Sequence, residues 1–186
     1  MTRTRLGGLV LLLLSSGIFI VWGSLLDRDS PERSLVSGMR DFKILYGAMS
    51  CLLQHDAPYT QSGMERYYRS EGWEIPNDPV KYQGATVYVY FPTASIFVAP
   101  FAMLPWGPAH LLWMSLIAAS LTIAAFLMWN VAADYSRGVS LFLICMLLAN
   151  CEVLFERGNS AGIVISLCVV CILCFFREWF VAVGVL

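Results

Sequence analysis

Residues 82–133 read YQGATVYVYFPTASIFVAPFAMLPWGPAHLLWMSLIAASLTIAAFLMWNVAA, 52 residues without one Asp, Glu, Lys or Arg. A water-soluble core has no use for so long an uncharged run, whereas a bilayer takes ~20 apolar residues for each helical crossing. Proline punctuates the stretch at Pro92, Pro100, Pro105 and Pro108. That spacing predicts a short span over about 87–104, a tight turn through Pro105-Trp106-Gly107-Pro108, and an uninterrupted span over about 109–133. Pro92 and Pro100 inside a membrane helix are tolerated where neighbouring groups satisfy the carbonyls that they free.

Working outward, the composition agrees. The chain is 58% hydrophobic and 13% charged, where a soluble domain carries about 25% charged residues. Sixteen of its charged side chains crowd between Asp27 and Lys81. Ahead of them, Arg3 and Arg5 precede an uncharged run over 6–26. That run is too long for the apolar core of a cleaved signal peptide and has no small-residue cleavage site, so a retained signal anchor is expected. By the positive-inside rule the amino terminus is then cytoplasmic, and 27–86 forms a first loop on the outer (periplasmic or extracellular) face. Beyond residue 133, Asp134 and Arg137 mark a turn. Two more spans are expected over about 139–154 and 161–176, both short enough to need tilt or local thinning of the bilayer. A further apolar run opens at Trp179 and is cut off at Leu186, so the chain reads as the amino-terminal part of one longer membrane domain. Trp22, Trp106, Trp129 and Trp179 stand near the expected span ends, where interfacial tryptophans collect. The fold class expected is all-α, a polytopic membrane helical bundle.

Within the polar loop, Leu35, Met39, Phe42, Leu45, Tyr46, Met49, Leu52 and Leu53 recur at steps of three and four. This predicts an amphipathic helix, capped by Ser34, lying in the membrane interface with its apolar face down. Asp41 falls at the border of the apolar stripe, near Leu45, Ala48 and Leu52, while Arg40 points to the wet side. Pro58, Pro76, Pro79, Gly63 and Gly72 break the rest of the segment into loops.

Few residues carry recognisable chemistry. Cys168, Cys171 and Cys174 have iron–sulfur-like spacing, but their apolar neighbours make them packed thiols of a membrane helix. His55 and His110 lack the second ligand set of a metal site and read as turn or interface residues. No metal or cofactor motif and no phosphate loop is present, and neither is expected in use. A net charge of −1 without a basic block gives no footing for nucleic acid. Asp41 and Asp56 remain; taken alone, each reads first as a solvated acid. Arg157, between two spans, is ordinary on the cytoplasmic side and is also suited to a lipid phosphate.

One ordered set of residues goes further. Arg40-Asp41-Phe42 after the first span, Tyr46, Asp56-Ala57-Pro58-Tyr59, Tyr90-Phe91-Pro92, Pro100, Leu104-Pro105 and Trp113 follow one another in a pattern that resembles glycosyltransferase family 87 of the GT-C superfamily. The resemblance covers roughly 38–162. Members of that family are similar to polyprenyl-phosphate-mannose-dependent alpha-mannosyltransferases. Two positions depart from the pattern: His55 stands where glycine is frequent, and Gly158-Asn159 stands where Gly-Gln is expected. The resemblance implies an acidic residue just past the first span as catalytic base, which here is Asp41. It implies a polyprenyl-phosphate-linked sugar donor, mannose or another hexose or pentose, and a lipid or glycan acceptor beside membrane lipids. Arg40, Lys43 and Arg157 would meet the charge of the departing phosphate; Tyr46, Asp56, Tyr59 and Tyr90 would line the substrate. The competing reading is a non-catalytic transporter segment or assembly subunit. The scarcity of ionisable groups within the spans weighs against transport.

Overall fold

The computed structural model describes residues 34–35, 38–75, 77, 86–88, 90–132, 136–149, 151–176 and 178–179, together with 6, 7, 10, 14 and 17. The signal anchor expected over 6–26, apart from those five positions, and the apolar run after Trp179 lie outside the described residues. Among the described residues the chain is all-α. Its helices are α1 (Arg40–Leu53), α2 (Gln61–Ser70), α3 (Pro92–Ala102), α4 (Trp106–Ala132), α5 (Arg137–Ala149), α6 (Cys151–Arg157) and α7 (Ala161–Phe176). A parallel bridge between Ser34 and Glu74 is the one β-type pairing among them. Two compact units emerge, one of Leu25–Met114 with Glu156–Asn159, the other of Met1–Ser24, Ser115–Phe155 and Ser160–Leu186.

The first unit is organised around α1, which differs from the helix expected in two ways. It starts at Arg40, because Met39 adopts the left-handed conformation, with φ 55°, which a right-handed helix cannot continue through. The N-cap of α1 is Met39 and not Ser34, which bridges to Glu74 and whose carbonyl accepts a 2.7 Å hydrogen bond from Lys43 Nζ. Leu35 and Met39 are buried, as their spacing required, but neither lies in the helix. The second difference is larger. Phe42 through Ala48 are all buried, and seven consecutive positions cover every direction around a helix axis. Over Phe42–Ala48 α1 is therefore enclosed by protein, with α3 and α2 packed against it, and presents no wet side there. Close approach is possible because Gly47 has no side chain: a methyl there would lie 2.7 Å from Tyr68 Oη and 2.8 Å from its ring.

Aromatic rings fill the space around α1. Phe42 stacks on Trp113 with centroids 4.6 Å apart and planes 11° from parallel. It also meets Trp106 at 5.7 Å and the edge of Phe101 at 6.1 Å. Such pairs add roughly 0.5–1.5 kcal/mol each beyond their burial. His110, expected in a turn or interface, is buried in α4 and stacks on Trp106 at 5.5 Å. The Lys43 ammonium lies 5.7 Å from both the Trp73 and the Trp106 ring, a placement in which the ring faces offset part of its lost hydration. α2 begins at Thr60, whose hydroxyl accepts from Gly63 N at 3.2 Å, an ordinary N-cap. α3 opens on Pro92, where a missing N–H costs nothing. That proline starts the helix and does not interrupt one. At 11 residues α3 runs ~16 Å, about half of a bilayer's hydrocarbon core.

In the second unit Ile117 and Leu121 of α4 and Leu154 of α6 surround Gly162 of α7; a methyl added there would meet Leu154 at 3.2 Å. Ser166 satisfies its hydroxyl on the Gly162 carbonyl at 2.8 Å. The run expected over 139–154 appears as α5 and the start of α6, on either side of residue 150, which lies outside the described residues. By length and composition one helical stretch among the described residues, Trp106–Asn130, can cross a membrane, while Arg137–Leu147 and Ala161–Phe176 are apolar but shorter.

Replacing Gly47 with alanine should destabilise the first unit by about 1–3 kcal/mol, because the new methyl must displace a fully buried tyrosine ring. Thermal unfolding of the purified chain checks this; a melting temperature equal to the parent's would show that Tyr68 can step aside.

Candidate active site

Asp41 occupies the first turn of α1, half-buried, two residues after the left-handed Met39. Its Oδ2 accepts a 2.8 Å hydrogen bond from Asn159 Nδ2, which joins two residues 118 positions apart. The amide arrives there by a short, well-held path. The Met39 backbone N–H donates to the Glu156 carbonyl. Two residues on, Gly158 turns with φ 62°, and its carbonyl accepts a 2.9 Å bond from Trp113 Nε1. A Cβ at Gly158 would come within 3.0 Å of Phe42 Cβ and 3.3 Å of Met39 Cα. Glycine is needed here both for its backbone sign and for the closeness of two other residues.

Tyrosines flank this acid. Tyr90, half-buried, lies within reach of the Asp41 charge. Its carbonyl accepts from Tyr59 Oη at 3.3 Å. The rings of Tyr59, Tyr88 and Tyr90 follow in series, with centroids 5.1 Å and 5.8 Å apart. Arg40, beside Asp41, is partly exposed, and Arg157, next to Gly158, is exposed. Tyr90 and, by chain adjacency, Arg40 therefore lie near Asp41, while Tyr59 reaches the Tyr90 carbonyl and Arg157 neighbours Gly158 only in the chain.

Three other expected site residues are placed elsewhere. Lys43 is 3% exposed and committed to the Ser34 carbonyl and two indoles, so its charge serves the core. Tyr46 is buried, with its hydroxyl donating to the Leu104 carbonyl at 2.8 Å. Burial first, then the negative charge of Glu71, pushes that phenol up. Asp56 forms a two-point pair with Arg66, at 2.6 Å and 3.0 Å, and accepts from Ala57 N at 2.9 Å. The Arg66 hydrogen bond, followed by that of Ala57, holds its carboxyl below the ordinary aspartate range. It therefore shapes the loop after α1, where His55 takes φ 62°. Among the described residues no three His, Cys, Asp or Glu side chains gather as a metal site, and Cys168, Cys171 and Cys174 are free thiols.

Asn159 and Trp113 are the members that sequence reasoning did not put in the site. Gly158-Asn159 had been noticed as a pair, but no local periodicity ties it to Asp41. The arrangement offers a carboxylate held by a distant amide, with the Tyr90 phenol within reach of its charge.

Trp113→Phe keeps the ring on Phe42 and removes the N–H, leaving a buried carbonyl unpaired. It should lower stability by about 1–3 kcal/mol in denaturant or thermal unfolding, and a neutral result would mean another donor takes over. The Asp56–Arg66 pair contributes above the ordinary aspartate value of 3.8 and is lost as pH falls through the lowered one. Arg66→Gln should therefore speed amide exchange at Ala57 near neutral pH, with the difference from the parent vanishing in strong acid; a pH-independent difference would contradict the pairing. Comparisons of this chain with protein-family models, with curated proteins and with solved structures found no match.

Proposed function

We propose that this chain is a GT-C-type membrane glycosyltransferase, transferring mannose or another hexose or pentose from a polyprenyl-phosphate donor to an acceptor hydroxyl. The observation that carries this reading is the Asn159–Asp41 hydrogen bond. It joins the two motif elements of the family resemblance that are farthest apart in the sequence, the acid after the first span and the glycine-amide pair between later spans. Two backbone details support it as well. His55, standing where the family pattern has glycine, has the positive φ that glycine takes without strain, and Gly158 does too.

In the proposed reaction an acceptor hydroxyl attacks the anomeric carbon while Asp41 takes its proton. The new oxygen–carbon bond forms as the bond from that carbon to the lipid phosphate breaks. The electron pair leaves with the phosphate, which needs a cation and no proton donor. Arg40 and Arg157 are the candidates, since Lys43 is committed to the core. Tyr59 and Tyr90 would face the sugar.

A membrane setting is supported by the stretch Trp106–Asn130 and by outward-facing Phe97 (78% exposed) of α3 and Phe176 (74%) of α7. Apolar surfaces of that kind seek lipid or a partner. The polytopic arrangement, with a cytoplasmic amino terminus and the Asp41 segment on the outer face, belongs to this proposal and rests on Arg3 and Arg5.

Asp41→Asn should cut sugar transfer from a lipid-linked donor on the order of 10²- to 10⁴-fold while leaving insertion and thermal unfolding near those of the parent. Full transfer by that variant would remove Asp41, and this mechanism, from consideration.

A further inference from the structure

We infer that Asn159 is a positioning residue, and that the turn Glu156–Asn159 exists to hold the Asp41 carboxylate in one orientation. The inference rests on the function proposed above and gives a role to Asn159, for which the family resemblance supplies a place in the pattern but no task.

Its basis is a closed circuit of contacts. Asp41 is followed in α1 by Phe42, which stacks at 4.6 Å on Trp113. Trp113 donates through Nε1 to the Gly158 carbonyl at 2.9 Å. The next residue, Asn159, returns to Asp41 at 2.8 Å. A second tie, from the Met39 N–H to the Glu156 carbonyl, clamps the entry of α1 to the same turn. Phe42, Trp113 and Gly158 are buried, and Asp41 and Asn159 are half-buried. An ionised carboxylate only accepts, so the contact must use the amide nitrogen as donor. Aspartate has two side-chain torsions, and one short bond to a turn anchored at two other points restricts both. A base misplaced by ~1 Å can lose about 10²-fold in rate, so such anchoring bears directly on catalysis.

The role predicts an order that shape alone does not. Asparagine and aspartate have the same size, yet Asn159→Asp replaces the donor with a second acceptor and sets two carboxylates against each other. Asn159→Ala removes the whole amide and with it the donor, and Asn159→Gln keeps an amide on a longer arm. In the full chain, with a polyprenyl-phosphate sugar as probe, kcat should fall about 10- to 100-fold in Asn159→Ala, with KM for the donor unchanged. It should fall further in Asn159→Asp and recover in part in Asn159→Gln. Alongside, a thermal cycle of Asp41→Ala, Asn159→Ala and the double variant should show the double losing no more than either single change.

Independent, additive losses in melting temperature would overturn the inference, as would Asn159→Asp performing like the parent. If Asp41→Asn is inactive while Asn159→Ala transfers normally, the positioning role falls and the proposed function stands. If Asp41→Asn is active, the proposed function falls and this role with it.

Discussion

The face-to-face contact of Phe42 with Trp113 ties together most of what this chain does. Trp113 uses both of its chemical faces: its ring lies flat on Phe42, and its N–H satisfies a carbonyl in the turn at Gly158. Rings that size bury 150–250 Å² apiece, and an indole with a partner for its N–H can sit fully inside without an unpaired donor. Because Phe42 is one residue from Asp41, whatever fixes the ring also fixes the backbone that carries the acid. The apolar packing and the polar site are therefore two readings of one contact.

That coupling explains how a charge-bearing residue can sit half-buried at a helix start without a local cap. Met39 supplies no side-chain cap, and its left-handed backbone is unusual for a residue with a Cβ. The strain, of order 1–3 kcal/mol, persists only where surrounding structure over-determines it. Here the Glu156 carbonyl binds the Met39 N–H, and the chain just beyond presses Gly158 against Met39 and Phe42. A strained residue two positions before a carboxylate held by a distant amide is the pattern expected of a site kept in one geometry. Lys43 plays the opposite part. Its charge is drawn into the aromatic cluster and tied to the segment at Ser34, so it joins structure to structure.

Sequence periodicity located burial well and secondary structure less well. Leu35, Met39, Phe42, Leu45 and Tyr46 are all buried, while Met49 is half-buried and Leu52 and Leu53 at the end of the same stripe are exposed, and the helix that was to contain them begins only at Arg40. Spacing at three and four reports which residues face inward; it does not sense a left-handed residue that stops a helix. The same limit applied to the wet side of α1. Lys43, Gly47 and Ser50 have the residue types of an exposed or neutral face, yet all three are buried; Trp73 and Trp106 close over Lys43, and Tyr68 over Gly47. Pro92 was legible as a helix breaker, and its position at the start of α3 makes it a helix opener. In the candidate site, Asp41 and Tyr90 were named from a motif, and Lys43 was named with them for its charge. Nothing in a local window separates a lysine that meets substrate from one that meets two indoles.

Composition and charge spacing were enough to indicate the helical architecture found among the described residues, rich in apolar segments, with the polar residues and Asp41 concentrated between the first uncharged run and those that follow. Those are properties of solvent preference and short-range geometry, which act over a few residues and are written in the local order. The partner of that acid, the enclosure of α1 and the retirement of Lys43, Tyr46 and Asp56 to structural duty emerged from the folded chain. Most of these depend on contacts between segments far apart in the sequence, such as residues 41 and 159, which have no signature at short range; Asp56 meets a partner only 10 positions away, and that pairing too is not written in a local pattern.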